Sequence, residues 1–140
     1  MLTAEERDSV GLVTLDDGKA NAVGFDFTAA MHDGLDWALE NAQAVVIAGR
    51  PGVFSAGFDL KVIRQGAAEA QPLRMQGARM MARLLLHPQP VVLACTGHAI
   101  AAGGLILLCG DPRLGVAGDF KIGLNETAIG LVLSTFGTEL

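Results

Sequence analysis

Charge is scarce in this sequence of 140 residues, and basic charge scarcest: Asp, Glu, Lys and Arg make up 18%, with 10 basic residues against 15 acidic ones. A formal charge of −5 without a basic stripe excludes a non-specific nucleic-acid binder, which has to neutralise phosphates. A bound anion would have to be met by locally placed Lys, Arg or backbone N–H groups. Cysteine is nearly absent: Cys95 and Cys109 are too few and too oddly placed for a disulfide framework or a zinc site. Two reduced thiols, no metal and a cytoplasmic setting are the expectation. The opening MLTAEERDSV is charged and lacks the apolar centre of a secretory signal. One stretch, residues 91–110, has no Lys, Arg, Asp or Glu and by length alone could span a bilayer. It opens on a β-branched run, breaks at Thr96-Gly97-His98 and holds four glycines, so a buried strand, a loop and a buried helix are expected in place of a membrane span.

Apolar residues, at 51%, and 18 glycines are what the chain has in plenty. The length suits one domain with a real core and is too short for two. Glycine at about twice its usual share points to tight turns and close backbone approaches. VGLVTLDD (10–17) alternates and predicts a strand ending at a turn; 25–41 repeats its apolar residues at helical spacing; AVVIAG (44–49) reads as a buried strand. Residues 50–60 read as a loop with a helix beginning near Asp59, and 64–71 as a small, polar, mobile connection. PLRMQGARMMARLLLH (72–87) predicts a helix with Pro72 in its first turn, ended by Pro88 and Pro90. VVLACTG (91–97) predicts a buried strand, 101–110 a helix, 113–118 a strand and 120–123 a short extended piece. Strands alternating with helices imply an α/β fold with largely parallel pairing.

Two segments share a design in which a buried strand runs into a small-residue turn that opens a helix: VVIAG then FSAGFDL (54–60), and VVLACTG then HAIAAGGL (98–105). Helix starts present unsatisfied N–H groups, and a pair of them could hold a carbonyl oxygen that turns negative during reaction. Taken alone, each turn is weak evidence, since a small-residue helix start is more often just tight packing. Further on, IGLNETAIGL (122–131) carries one carboxylate, Glu126, which is either an exposed loop residue or a base in an apolar pocket. His98, Asp59 and Asp111 could add acid or base chemistry. Yet Asp59 suits an N-cap, Asp111 suits a turn, and His98 lies in a turn; His32 and His87 read as ordinary helix residues.

FSAGFDL, then GHAIAAGG about forty residues later, then IGLNE, together with the earlier DDGKANAV (16–23), resembles the crotonase family, also called the enoyl-CoA hydratase/isomerase family. The resemblance covers nearly the whole chain. It implies a crotonase-like (ClpP/crotonase) α/β fold of repeated ββα units, lacking here the C-terminal helical part, so that 1–140 forms a truncated N-terminal core domain. It implies acyl-CoA thioester as substrate, with coenzyme A arriving as part of it and no permanently bound cofactor, and a homotrimer or hexamer. It further implies an oxyanion hole from the backbone N–H groups of Phe58 and Ala102, the latter replacing the glycine common there.

Hydratases of the family carry two glutamates; here the first position is Leu105 and only the second, Glu126, remains. A single base suits moving a double bond better than adding water, and IGLNET is similar to the 3,2-enoyl-CoA isomerases of the family. The resemblance places coenzyme A and the acyl group against Lys19, Ala20, Ala22, Ser55, Ala56, Gly57, Asp59, Leu60, Lys61, Gly103 and Leu105, with Arg50 and Arg64 as further phosphate partners. Hydration by Glu126 with a group such as His98, and a non-catalytic acyl-CoA-binding or assembly module, stand as the alternatives.

Overall fold

The computed structural model describes residues 2–140. The alternation in VGLVTL places Gly11, Val13 and Leu15 on a buried face, and AVVIAG and VVLAC repeat that pattern. These runs are β2 (Val10–Leu15), β3 (Ala44–Gly49) and β5 (Val91–Cys95), paired in parallel in that order. Every second residue is fully buried and its neighbours are half-covered, so the runs are not sealed on both faces as a continuous apolar stretch predicts. β1 (Leu2–Arg7) pairs antiparallel on one edge and β7 (Arg113–Gly115) parallel on the other, giving the order β1-β2-β3-β5-β7. A second, fully parallel sheet, β4-β6-β8, is made of β4 (Gly52–Ser55), β6 (Gly97–Ile100) and β8 (Ile122–Gly123).

The expected ββα plan is there: the second and third repeats each send one strand to the large sheet and the next to the small one before a helix closes them, while in the first both β1 and β2 stay in the large sheet. α1 (Phe25–Asn41) closes the first repeat, α2 (Leu60–Ile63) and α3 (Ala67–Leu85) the second, and α4 (Ala102–Leu108) the third. After β8 come a 3-10 turn, Thr127–Ile129, and α5 (Thr135–Glu139). The core joins Val13, Ile47 and Leu93 from the large sheet to Met31 and Leu35 of α1 and Met80 and Leu84 of α3. Arg83 of α3 reaches His32 Nδ1 and the His32 carbonyl of α1, both at 3.1 Å, and pairs with Asp36.

Three expectations change. β1 carries Glu5, Glu6 and Arg7 and is mostly exposed, so an edge strand that buries almost nothing leaves no hydrophobic signal. β4 and β6 lie where loops were expected; four residues long and rich in small residues, they are held by pairing with each other. α3 begins at Ala67, so most of 64–71 is not a loose connection, and Pro72 stands a turn deeper than predicted. The uncharged stretch 91–110 resolves into β5, β6 and α4, and among the described residues no helix is long and apolar enough to cross a membrane.

Candidate active site

The two small-residue turns meet. Gly57 has φ +86°, and a Cβ built on it would stand 2.9 Å from Ala101 Cβ, 3.0 Å from the Ile100 carbonyl and 3.1 Å from Ala102 N. Only glycine lets the turn after β4 lie this close to the start of α4. A Cβ at Gly103 would fall 2.3 Å from the Ser55 carbonyl, so the first turn of α4 is pressed against the end of β4. Phe58 follows Gly57, and its ring lies over Gly77 of α3, where a Cβ would come within 2.5 Å of it.

The N–H groups at this junction have defined surroundings. Val23 N donates to Gly57 O (2.8 Å) and Asp59 N to Val23 O (3.1 Å), forming a parallel bridge that turns the N–H of Phe58 away from residues 22–24. Ala102 is the first residue of α4, so its N–H has no acceptor within the helix. Ala101 before it holds φ +51° and ψ −125°, a conformation costly for any residue with a Cβ. Its ends are fixed by Ala101 N donating to Gly123 O (3.0 Å) and Leu105 N donating to Ala101 O (3.1 Å).

Beside this junction lies a cavity of about 200 Å³, with Phe58, Ala101, Leu105, Asn125, Glu126 and Arg74 among its lining residues. Ile129 and Leu131 to Ser134 close it from the C-terminal segment, and Ala56, Leu60 and Ile63 from the other side. Glu126 precedes the 3-10 turn, and its carbonyl is held by Ile129 N (3.1 Å) and Leu131 N (2.9 Å). Its side-chain Oε2 is sealed from solvent and has no hydrogen-bond partner; the same holds for Asn125 Oδ1. Buried acceptors without donors cost about 1–3 kcal/mol each, so the cavity wall is built for something other than stability. A larger hollow, about 420 Å³, lies between α4, β7 and β8, but its lining is almost wholly apolar and contains no carboxylate.

Of the residues expected at the site, Phe58, Ala56, Leu60, Leu105 and Glu126 line the cavity, and Ala102 adjoins it through Ala101. Lys19 and Lys61 are exposed outside it, while Arg50 donates from Nε to the Lys19 carbonyl (3.0 Å). Ser55 is fully buried and gives its hydroxyl to Asn21 O (2.7 Å). Asp59 accepts from Lys61 N (2.8 Å) as the N-cap of α2. Ala56 N donates to Ala20 O (2.9 Å), and Ala22 O accepts from Gly24 N (2.9 Å), so these alanines tie the loop together. Gly103 is packed against Ser55, as above. His98 lies outside the cavity: its Nδ1 accepts from Lys121 N (2.9 Å) and its ring meets Phe120 edge-on. Asp111 accepts from Val91 N (2.8 Å), fixing the turn before β7. Burial pushes the Cys109 thiol up to about 11, so it is no nucleophile.

The residue that sequence reading missed is Asn21. It is buried, holds φ +49°, and donates from Nδ2 to Leu15 O (2.8 Å) and Phe54 O (3.1 Å), while Oδ1 accepts from Asp17 N (2.9 Å). It thereby pins the loop after β2 onto the turn that carries Phe58. Its signal was its type: Asn tolerates the left-handed region and mimics a turn, and it follows an Asp-Asp-Gly turn. Arg74 and the 129–134 wall had no comparable signal, because only folding brings them to Glu126.

The family model for enoyl-CoA hydratase/isomerase matches residues 5–140. A Bacillus subtilis protein described as a probable enoyl-CoA hydratase is 28% identical over 134 residues, covering 93% of this chain and 52% of its own. A Pseudomonas syringae crystal structure from the same family superimposes with a TM-score of 0.96 at 42% identity, over 99% of this chain and 60% of the other. A Mycobacterium tuberculosis structure described as an enoyl-CoA isomerase gives 0.88 at 41%, over 94% of this chain and 57% of the other, and a second structure of that same protein is described as a probable enoyl-CoA hydratase. The chain thus spans about half the length of the curated relative and some three-fifths of the solved structures.

Proposed function

The chain belongs to the enoyl-CoA hydratase/isomerase family, and from that premise we propose that it moves the double bond of a 3-enoyl-CoA to the 2-position with Glu126 as the single base. The observation that carries this reading is the composition of the cavity wall. Glu126 is its one carboxylate, and Leu105, where a hydratase of the family would carry a second glutamate, is buried and apolar.

In this mechanism the thioester oxygen accepts from the N–H groups of Phe58 and Ala102. Glu126 removes a proton from C2, and the electrons of the C–H bond spread into a dienolate whose charge rests on that oxygen. The proton then returns at C4, the C2–C3 double bond forms, and the carbonyl is restored. Leu105, Leu131 and Leu133 keep water from the intermediate. Coenzyme A enters with the substrate along the Ala56–Leu60 side, with Lys19, Lys61 and Arg64 as candidates for its phosphates; no permanent cofactor is needed. The same reading carries a homotrimer or hexamer and a cytoplasmic setting. Leu114, Val116, Ile122 and Leu124, all exposed on this chain, support an apolar contact with another subunit.

The test is to give purified protein and a Glu126→Gln variant 3-hexenoyl-CoA and follow the conjugated enoyl thioester. Loss of a positioned base should slow the variant by about 10²–10⁴-fold. A fully active variant would overturn the mechanism. Formation of 3-hydroxyacyl-CoA from 2-hexenoyl-CoA, without isomerisation, would establish the hydratase instead. Binding without turnover by either protein would leave a non-catalytic acyl-CoA module.

A further inference from the structure

Asn125 and Glu126 are consecutive, and both send a side-chain oxygen into the wall of one cavity where neither meets a donor. Of the other lining residues, Leu105, Ile129, Leu131 and Leu133 have no side-chain donor, and the guanidinium of Arg74 reaches neither oxygen. Ser134 has a hydroxyl, whose oxygen accepts from Gly137 N (3.2 Å) as the N-cap of α5, and it too reaches neither oxygen. Two sealed acceptors on consecutive residues, neither with a donor, are unfavourable while the carboxylate is ionised. The arrangement becomes favourable once one of them acquires a proton, since a carboxylic acid is a donor and a primary-amide oxygen is a strong acceptor. In the reaction above, Glu126 holds such a proton between its removal from C2 and its return to C4.

We propose that Asn125 is a positioning residue that accepts a hydrogen bond from protonated Glu126, keeping the migrating proton out of exchange with solvent until C4 takes it. This rests on the isomerase reading. The step balances as before: the C2–H bond breaks, an O–H bond forms on Glu126, that bond breaks as C4–H forms, and Asn125 gains and loses nothing. Leu105 contributes to the same end by denying the proton a second carboxylate.

The consequence is partitioning, which a merely structural residue would not control. The experiment runs the isomerisation of 3-hexenoyl-CoA in D2O and measures deuterium at C4 of the product by mass spectrometry at low conversion. Wild type should transfer mainly the substrate's own hydrogen. Asn125→Leu, close in size and without an acceptor, should raise the deuterium fraction several-fold and lower kcat about tenfold, with KM nearly unchanged. Asn125→Ala removes the same oxygen without bulk, so a folding defect in the leucine variant does not decide the matter. Asn125→Asp, which puts a second carboxylate beside Glu126, should not restore the retention. Equal deuterium incorporation in wild type, Asn125→Leu and Asn125→Ala would overturn the inference while leaving Glu126 as base. A wild-type protein that forms no 2-enoyl-CoA would instead overturn the isomerase reading, and this inference with it.

Discussion

Replacing Asn21 by alanine tests whether the loop after β2 holds the junction of the two small-residue turns in place. The side chain supplies three hydrogen bonds, from Nδ2 to Leu15 O and Phe54 O and from Asp17 N to Oδ1. At about 1 kcal/mol each their loss costs about 3 kcal/mol. Leu15 O keeps one donor, Arg50 N at 3.1 Å, which trims that figure. Alanine must also adopt φ +49°, at about 1 kcal/mol more than asparagine. The sum, about 3–4 kcal/mol, is a large share of the about 5–15 kcal/mol that holds a domain folded. Urea denaturation of wild type, Asn21→Ala and Asn21→Gly separates the parts: glycine loses the bonds but adopts the backbone angle freely, so it should be the milder change by about 1 kcal/mol. Thioester turnover should fall in both, because Ala56 N–Ala20 O and Val23 N–Gly57 O set the position of Phe58. A loss below about 1 kcal/mol for Asn21→Ala would refute the reasoning, since its bonds would then be replaceable by water.

Gly57→Ala forces a Cβ to within 2.9 Å of Ala101 Cβ at φ +86°. It should cost about 2–4 kcal/mol in urea denaturation and reduce turnover beyond what the unfolded fraction explains. Ala101→Gly should act oppositely, raising stability by about 1 kcal/mol by relieving φ +51°, as read from the urea midpoint. Burial works to raise the pKa of Asp17, but the N–H groups of Asn21 (3.0 Å) and Lys19 (2.7 Å) outweigh it and hold the carboxyl below its ordinary 3.8. A lowered folded pKa means its contribution is complete above 3.8 and is lost as pH falls through the folded value. Asp17→Asn should therefore flatten the acid limb of the urea-midpoint profile below about pH 4 and leave neutral pH less stable throughout.

Local pattern alone determined much of this chain. Alternation in VGLVTL and short β-branched apolar runs in AVVIAG and VVLAC located the central parallel strands, because strands that bury a face need apolar side chains on it. Helical spacing located α1, whereas Glu126, Phe58 and Ala102 were singled out by the family resemblance that three separated motifs carry. Pattern could not find β1, β4 or β6, whose existence depends on pairing and not on burying an apolar face. It could not tell that Ser55 and Gly103 serve the frame while Arg74, Asn125 and residues 129–134 face the cavity. Only tertiary structure decided how the two turns meet at Gly57 and Ala102 N, because that distance is set jointly by two sheets, a helix start and Asn21, segments some eighty residues apart. It also sealed Glu126 Oε2 from its usual partner, water, in a wall assembled from the residues after β8, the 3-10 turn and the segment leading to α5.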